Sequence, residues 1–252
     1  MRVIIFDYDD TLFPSTHIAQ NNLYEAHVNS PAFMHHRECV QDLEAAAITM
    51  LSKAIALGDL IVIVTNGKLD WIKYSMKMYY QRFFEFVRQN DTPIVSAQDI
   101  FSPHSPHPMM WKITCFQHLL ASLKSTNNAP SQLISVGDGA HEAIACEVAA
   151  QGIDIPYRNV ILLDTPSPRQ MTTQLNLLAQ ELQGVITHHA VKVDFSASVV
   201  SGGNIEFHPV LKDMAPVETP VSFQATSDAG TGAGTGCHHD PSVVYTPPQT
   251  VA

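Results

Sequence analysis

The chain has 252 residues and a formal net charge of −10, with 14 lysines and arginines against 24 acidic residues. Because the sequence contains no basic run, it argues against nucleic acid or an anionic membrane surface as a partner. The hydrophobic share of 45% is ordinary for a globular domain. The scattered cysteines form no CxxC pair, and no apolar run suits a signal peptide or a membrane span. We therefore expect a cytoplasmic protein, with the nucleus as the other location.

Short apolar runs alternate with segments that have helical length and apolar spacing. The runs are rich in β-branched residues and nearly continuous, as expected for strands of a parallel sheet that is covered on both faces. The predicted strands are Val3–Phe6, Leu60–Val64, Ile94–Val95, Leu133–Val136 and Val160–Leu163. The predicted helices are Cys39–Leu57, Asp70–Arg88, Met109–Lys124 and Glu142–Gln151. This order predicts an α/β fold with a doubly wound, Rossmann-like parallel sheet.

Two segments stand apart from this alternation. Residues 13–36 form an insertion after the first strand, in which we expect a helix around Ile18–Val28. The insertion is either a small cap or flap beside the ligand-binding edge of the sheet or an ordinary surface excursion. From Ser196 onward Gly, Thr, Ser and Pro dominate and apolar periodicity fades. We therefore predict a catalytic domain over residues 1–195 and a disordered, low-complexity tail over 196–252.

The strongest local signal follows the first predicted strand, where Asp7 and Asp9 stand two residues apart. At the end of a strand, residues at this spacing face the same side. Two carboxylates that share a pocket repel each other, and a cation relieves that repulsion. Oxygen ligands suit Mg²⁺, so the sequence predicts a magnesium site here. The alternative is a surface acidic turn that caps the next element.

The stretch Ile4–Leu12 resembles the first motif of the haloacid dehalogenase superfamily, a hydrophobic strand followed by Asp-x-Asp-x-Thr. Further motifs of the superfamily follow in the expected order. The second is a strand that ends in Thr65, the third is Lys112 near the start of a helix, and the fourth is an acidic cluster that begins at Asp138. The resemblance covers roughly residues 1 to 165.

The resemblance implies a role for each matching residue. Asp7 is expected to be the nucleophile, and Asp9 the general acid that protonates the leaving oxygen and then activates water. Thr65 and Lys112 are expected to hold the phosphoryl oxygens. An Asp at position 9 is the pattern of the phosphatases and phosphomutases of the superfamily, rather than of its dehalogenases.

The resemblance also implies the ligands of Mg²⁺. The carboxylates of Asp7 and Asp138 and the main-chain carbonyl of Asp9 are the expected set. Glu142 departs from the commonest fourth motif, which has a second Asp. It either supports the metal through water, holds Lys112, or is a favourable acid in the first turn of a helix.

Weaker signals surround these motifs. Asn66 follows Thr65 directly and is a candidate substrate contact, although Asn66-Gly67 is also a turn signal. Trp71 and Trp111 resemble features of a eukaryotic branch of the superfamily, from which no substrate can be carried over. Both tryptophans lie in apolar helical surroundings, so we interpret them as packing residues.

The sequence therefore predicts a Mg²⁺-dependent phosphomonoester hydrolase that acts through an aspartyl-phosphate on a phosphorylated small molecule or a phosphoprotein. One alternative is a binding or scaffold protein that keeps the fold without catalysis. Another is a phosphomutase, although the mutases of the superfamily carry a larger cap than residues 13–36 can supply. The sequence leaves the substrate and the oligomeric state open.

Overall fold

The computed structural model describes residues 1–26, 29–57, 60–126 and 128–211. In this part of the chain, seven strands form one sheet in the order β3-β2-β1-β4-β5-β6-β7. All neighbouring strands are parallel except β6 and β7, which are antiparallel. The strands are β1 (Arg2–Phe6), β2 (Leu60–Thr65), β3 (Ile94–Ser96), β4 (Gln132–Gly137), β5 (Tyr157–Ile161), β6 (Lys192–Val199) and β7 (Ile205–Leu211).

Helices cover both faces of the sheet. They are α1 (Ser15–Gln20), α2 (Pro31–Met34), α3 (Arg37–Ala56), α4 (Leu69–Tyr79), α5 (Gln81–Gln89), α6 (Ala97–Phe101), α7 (Pro108–Ser125), α8 (Ala140–Ile153) and α9 (Pro168–Thr187). Within the described residues, no helix combines the length and the apolar character needed to cross a bilayer.

Alternate side chains of the central strands enter two separate hydrophobic cores. Ile4 and Phe6 of β1 belong to the larger core, to which helices α3, α4, α5 and α9 contribute. Val3 and Ile5 belong to the smaller core, against α7 and α8. This period of two, with apolar residues on both sides, explains why the strands read as continuous apolar runs in the sequence. The prediction of a doubly wound, Rossmann-like α/β fold is confirmed.

The order of the strands determines where a ligand can bind. The chain moves from β1 to β2 on one side and later returns to β4 on the other side of β1. The crevice at the carboxyl ends of β1 and β4 is therefore the switch point of the sheet, where open α/β folds bind their ligands. Asp7 continues β1 at this edge and donates its main-chain N–H to Val136 O at 2.9 Å.

The insertion differs from its predicted form. Helix α1 begins at Ser15 and ends at Gln20, and turns follow it, so a helix over Ile18–Val28 is wrong for the described residues; residues 27 and 28 lie outside them. Side chains of the insertion are buried in the larger core, including Ile18, Leu23 and Phe33. The segment is thus packed on the domain, because its apolar side chains compensate for its irregular backbone.

The predicted boundary at residue 195 is also wrong, because it falls inside β6. Residues 196–211 complete β6 and form β7, so they belong to the sheet rather than to a low-complexity tail. Phe195 and Ile205 are buried, and this apolar surface explains the pairing. The rest of the predicted tail, residues 212–252, lies outside the described residues.

The helices differ from their predicted form in two places. The predicted helix Asp70–Arg88 is divided at Tyr80, whose non-helical backbone (φ −123°, ψ 55°) separates α4 from α5 while its ring is fully buried. Helix α9 was not predicted. It begins with a capping box, in which the Ser167 and Gln170 side chains each bond to the other's main-chain N–H.

Candidate active site

The Asp7 carboxylate lies against the end of a buried lysine. Lys112 Nζ is 2.5 Å from Asp7 Oδ1 and also donates to Glu142 Oε1. All three side chains are buried. Although burial alone would lower it, the pKa of Lys112 is raised by the carboxylates of Asp7 and Glu142. The two carboxylates therefore favour the charged form of the lysine that lies between them.

Each member of this group comes from a different element. Asp7 follows β1, Lys112 lies in the second turn of α7, and Glu142 is the third residue of α8. Glu142 Oε2 also accepts a hydrogen bond from the Gly139 main-chain N–H at 3.2 Å, which caps α8. These contacts agree with two of the roles expected for Glu142, namely holding Lys112 and stabilising the first turn of its helix.

Asp9 makes a separate set of contacts. Its Oδ1 accepts hydrogen bonds from Ser15 Oγ and from Trp71 Nε1, the latter at 3.1 Å. Its Oδ2 accepts one from Thr65 Oγ1 at 3.1 Å. Thr65 in turn accepts the Gly67 N–H at 2.8 Å. The carboxylate is thus connected to α1, β2 and α4 at once.

Gly67 permits this close approach. A Cβ at position 67 would lie 2.9 Å from Asp9 Oδ2 and 3.2 Å from Thr65 Oγ1. Both distances are shorter than side chains normally tolerate, so any larger residue would displace the Asp9 carboxylate or Thr65. The turn after β2 therefore requires glycine for the geometry of Asp9.

Asp10 and Asp138 complete the acidic edge. Asp10 adopts a left-handed conformation (φ 53°), which Asp tolerates, and its carboxylate accepts hydrogen bonds from Thr16 N and Oγ1. Asp138 follows β4. Burial, followed by the nearby charges of Glu142 and Asp10, raises the pKa of Asp138 to about 7. A carboxyl group surrounded in this way gains stability in its charged form when a cation binds.

The donor set fits Mg²⁺ in part. Among the described residues, no three His, Cys, Asp or Glu side chains converge as a ready-made metal site. Mg²⁺ needs no such cage, since it keeps several waters and takes one or two carboxylates. Burial, and the charges of Glu142 and Asp9, raise the pKa of Asp7, while Lys112 opposes the rise. The chemistry of this acid-rich edge therefore suits a hard cation.

Asn66 lies at the same edge but is already engaged. Its Nδ2 donates to Pro108 O at 3.2 Å, at the start of α7. Its Oδ1 is buried and makes no hydrogen bond. Because this amide oxygen is an acceptor, it can bind a hydrogen-bond donor of a substrate, such as a hydroxyl group, but not a phosphoryl oxygen. The predicted substrate contact at Asn66 thus stays a prediction, with this restriction on its chemistry.

Sequence reasoning missed two residues of the site. Ser15 and Trp71 both donate to Asp9 Oδ1, and Trp71 had been interpreted as packing alone. Trp71 is 62 residues from Asp9 and meets it only through the fold, so no local pattern marks that contact. Ser15 is close to Asp9 in the chain, at the first position of α1. Trp111, by contrast, donates its indole N–H to the Ser105 main-chain carbonyl at 2.7 Å.

Comparisons with known proteins add no relative: no family model, no curated protein and no solved structure matches this chain.

Proposed function

We propose that this chain is a Mg²⁺-dependent phosphomonoester hydrolase of the haloacid dehalogenase type, which acts through an aspartyl-phosphate. The observation that carries the proposal is the different environment of two carboxylates two residues apart. Asp7 lies against the Lys112 ammonium group, whereas Asp9 is held by hydroxyl and indole donors. Such a division suits one nucleophile and one acid–base group.

In the first step, a carboxylate oxygen of Asp7 attacks phosphorus and forms an acyl phosphate, while the bond from phosphorus to the leaving oxygen breaks. Asp9 gives its proton to that leaving oxygen, which departs as an alcohol. Lys112 offsets the negative charge that gathers between Asp7 and the phosphoryl group. Removal of one such stabilising group typically slows the reaction about a hundredfold to a thousandfold, which is roughly 2.7–4 kcal/mol of barrier.

In the second step, the Asp9 carboxylate takes a proton from water, and the oxygen of that water attacks phosphorus. The bond from phosphorus to Asp7 breaks, which releases inorganic phosphate and regenerates both acids. Asp7, Asp138 and the Asp9 main-chain carbonyl are the groups that would hold Mg²⁺. The metal would supply positive charge beside the phosphoryl oxygens and orient them.

The test is hydrolysis of p-nitrophenyl phosphate with Mg²⁺ by the wild type, by Asp7→Asn and by Asp42→Asn. Asp42 is an exposed acid of α3, so its variant controls for the loss of a charge. We expect turnover in the wild type and the control, loss of at least a thousandfold in Asp7→Asn, on the order of the effect of removing a nucleophile, and loss on addition of EDTA. A folded wild-type protein without turnover, or an active Asp7→Asn, contradicts the proposal.

A further inference from the structure

The indole N–H of Trp71 points at the carboxylate proposed as the general acid. Trp71 Nε1 lies 3.1 Å from Asp9 Oδ1, within the range of a direct hydrogen bond. Trp71 is the third residue of α4, and this helix follows the turn at Gly67 that comes after Thr65, the last residue of β2. The contact thus links α4 to the motif that follows β1.

The Asp9 carboxylate is held from several directions. Ser15 Oγ of α1 donates to the same oxygen as Trp71, and Thr65 Oγ1 of β2 donates to the other oxygen. Donors on both oxygens fix the plane of the carboxylate as well as its position. A proton donor must meet the leaving oxygen at hydrogen-bond distance, and a misplacement of about 1 Å can cost on the order of a hundredfold in rate.

The direction of the Trp71 N–H is itself fixed by aromatic packing. Phe13 meets the indole edge-on, with ring centroids 6.1 Å apart, and Tyr24 does so at 5.4 Å. Tyr74 is tilted against it, with ring centroids 6.2 Å apart. Because the indole contacts three rings, it cannot rotate away from Asp9 without losing aromatic contacts.

We propose that Trp71 is a positioning residue, whose indole N–H and aromatic packing hold the Asp9 carboxylate where it can protonate the leaving oxygen. The inference rests on the proposed function and adds to it a residue that the sequence analysis interpreted as packing. Trp111, the other tryptophan, donates to a loop carbonyl instead of to an acid. It therefore provides a matched comparison within the same chain.

The experiment compares kcat/KM for benzyl phosphate and p-nitrophenyl phosphate. Benzyl alkoxide leaves poorly without a proton, whereas p-nitrophenolate leaves well without one. Because kcat/KM covers the steps up to departure of the leaving group, the later role of Asp9 as a base does not enter. We expect Trp71→Phe to lower the ratio of benzyl to p-nitrophenyl kcat/KM roughly tenfold, as misplacement of a proton donor would. Trp111→Phe should leave that ratio at the wild-type value.

Ser15 separates loss of the hydrogen bond from loss of packing. Ser15→Ala removes the other donor to Asp9 Oδ1 without touching the aromatic rings, and Ser15→Thr keeps the hydroxyl group. We expect the ratio to fall in Ser15→Ala and to recover in Ser15→Thr. These variants decide the question if Trp71→Phe does not fold.

Two results overturn the proposal, and they differ from each other. If Trp71→Phe and Ser15→Ala lower kcat/KM equally for both esters, or leave both unchanged, Trp71 is a packing residue while the phosphatase activity stands. If the folded wild type hydrolyses neither ester, the proposed function fails and the positioning role fails with it.

Discussion

The carboxylate of Glu142 lies in contact with the ammonium group of Lys112, at a position where both side chains are buried. The same ammonium group contacts Asp7, the proposed nucleophile. Glu142 thus acts on the site through Lys112, and the main-chain N–H of Gly139 holds its other oxygen. This relationship gives the variant acidic residue of the fourth motif a physical role.

Replacement of Glu142 should test that role directly. Glu142→Gln keeps the size and an acceptor for Gly139 but removes the charge beside Lys112. Because the lysine keeps Asp7, we expect a loss of about 1–3 kcal/mol in the free energy of unfolding, less than the loss of a complete buried ion pair. Chemical denaturation measures it, with the exposed Glu181→Gln of α9 as the control. An unchanged stability would contradict the buried ion pair.

A second prediction follows from the close approach of Gly137 in β4 to Glu142 in α8. A Cβ at Gly137 would lie 2.3 Å from Glu142 Cγ, so Gly137→Ala must displace Glu142. We expect a loss of about 1–3 kcal/mol, the usual cost of overpacking, together with lower phosphatase activity. The control is Gly152→Ala in α8, the helix of Glu142, where nothing lies within 4 Å of the added methyl group. Its stability should equal that of the wild type or be slightly higher. Equal stability of both variants in thermal unfolding would show that Glu142 is not fixed in place.

The β6–β7 hairpin should be required for stability. A chain that ends at residue 195 loses half of β6 and all of β7, with the pairs from Val193↔Leu211 to Val199↔Ile205. Compared with a chain that ends at residue 211, we expect an unfolding midpoint lower by roughly 5 °C or more, since about 2–4 °C corresponds to each kcal/mol at this size. Calorimetry of the two chains checks it, and equal midpoints would restore the boundary at residue 195.

His17 makes stability depend on pH. Burial lowers the pKa of His17 below its ordinary value, and His36, whose Nδ1 is 3.0 Å from His17 Nε2, lowers it further. Asn21 Nδ2 contacts the other ring nitrogen at 3.4 Å. As pH falls, the unfolded chain therefore binds a proton at His17 before the folded chain does. The contribution of His17 to the free energy of unfolding is present above the ordinary histidine pKa of about 6.5, and it is lost as pH falls through the lower pKa of the folded state.

The measurement is the change in unfolding midpoint between pH 7.5 and pH 5.5, on the order of one unit either side of the ordinary histidine pKa. We expect acidification to shift the midpoint of the wild type further towards unfolding than that of His17→Asn. The carboxyl of Asp138, whose raised pKa acts in the opposite direction, is the same in both proteins and cancels from the comparison. His104→Asn, which changes an exposed histidine of a loop, should shift as the wild type does. A larger fall in His17→Asn would reverse the sign and contradict the burial argument.

The sequence predicted the sheet better than the segments around it. The β-branched runs at Val3–Phe6 and Leu133–Val136 mark strands clearly because both faces of each strand are buried. Helix α9 carried readable signals, namely Ser167 with Gln170 and apolar residues at helical spacing, but these were not recognised. The break at Tyr80 depends on tertiary packing of its buried ring, which local propensity does not encode.

The same division applies to the site. Asp7, Thr65 and Lys112 were predicted from motifs that lie at the ends or starts of regular elements, where topology alone brings them to one edge. The Trp71–Asp9 hydrogen bond depends on how α4 packs against the insertion, so it needed the structure. Asp138 lies at the predicted edge, and its part in holding Mg²⁺ stays a prediction.

The most direct test of the account is chemical trapping of the acyl phosphate on Asp7. Asp9→Asn removes the base that activates water, and p-nitrophenyl phosphate needs no proton to leave, so the intermediate should accumulate. Borohydride reduces an acyl phosphate to an alcohol, which converts aspartate to homoserine. We predict homoserine at position 7 by peptide mass spectrometry when substrate is present, and aspartate when it is absent. Intact Asp7 during continuing turnover, or homoserine at another acidic residue, would contradict Asp7 as the nucleophile.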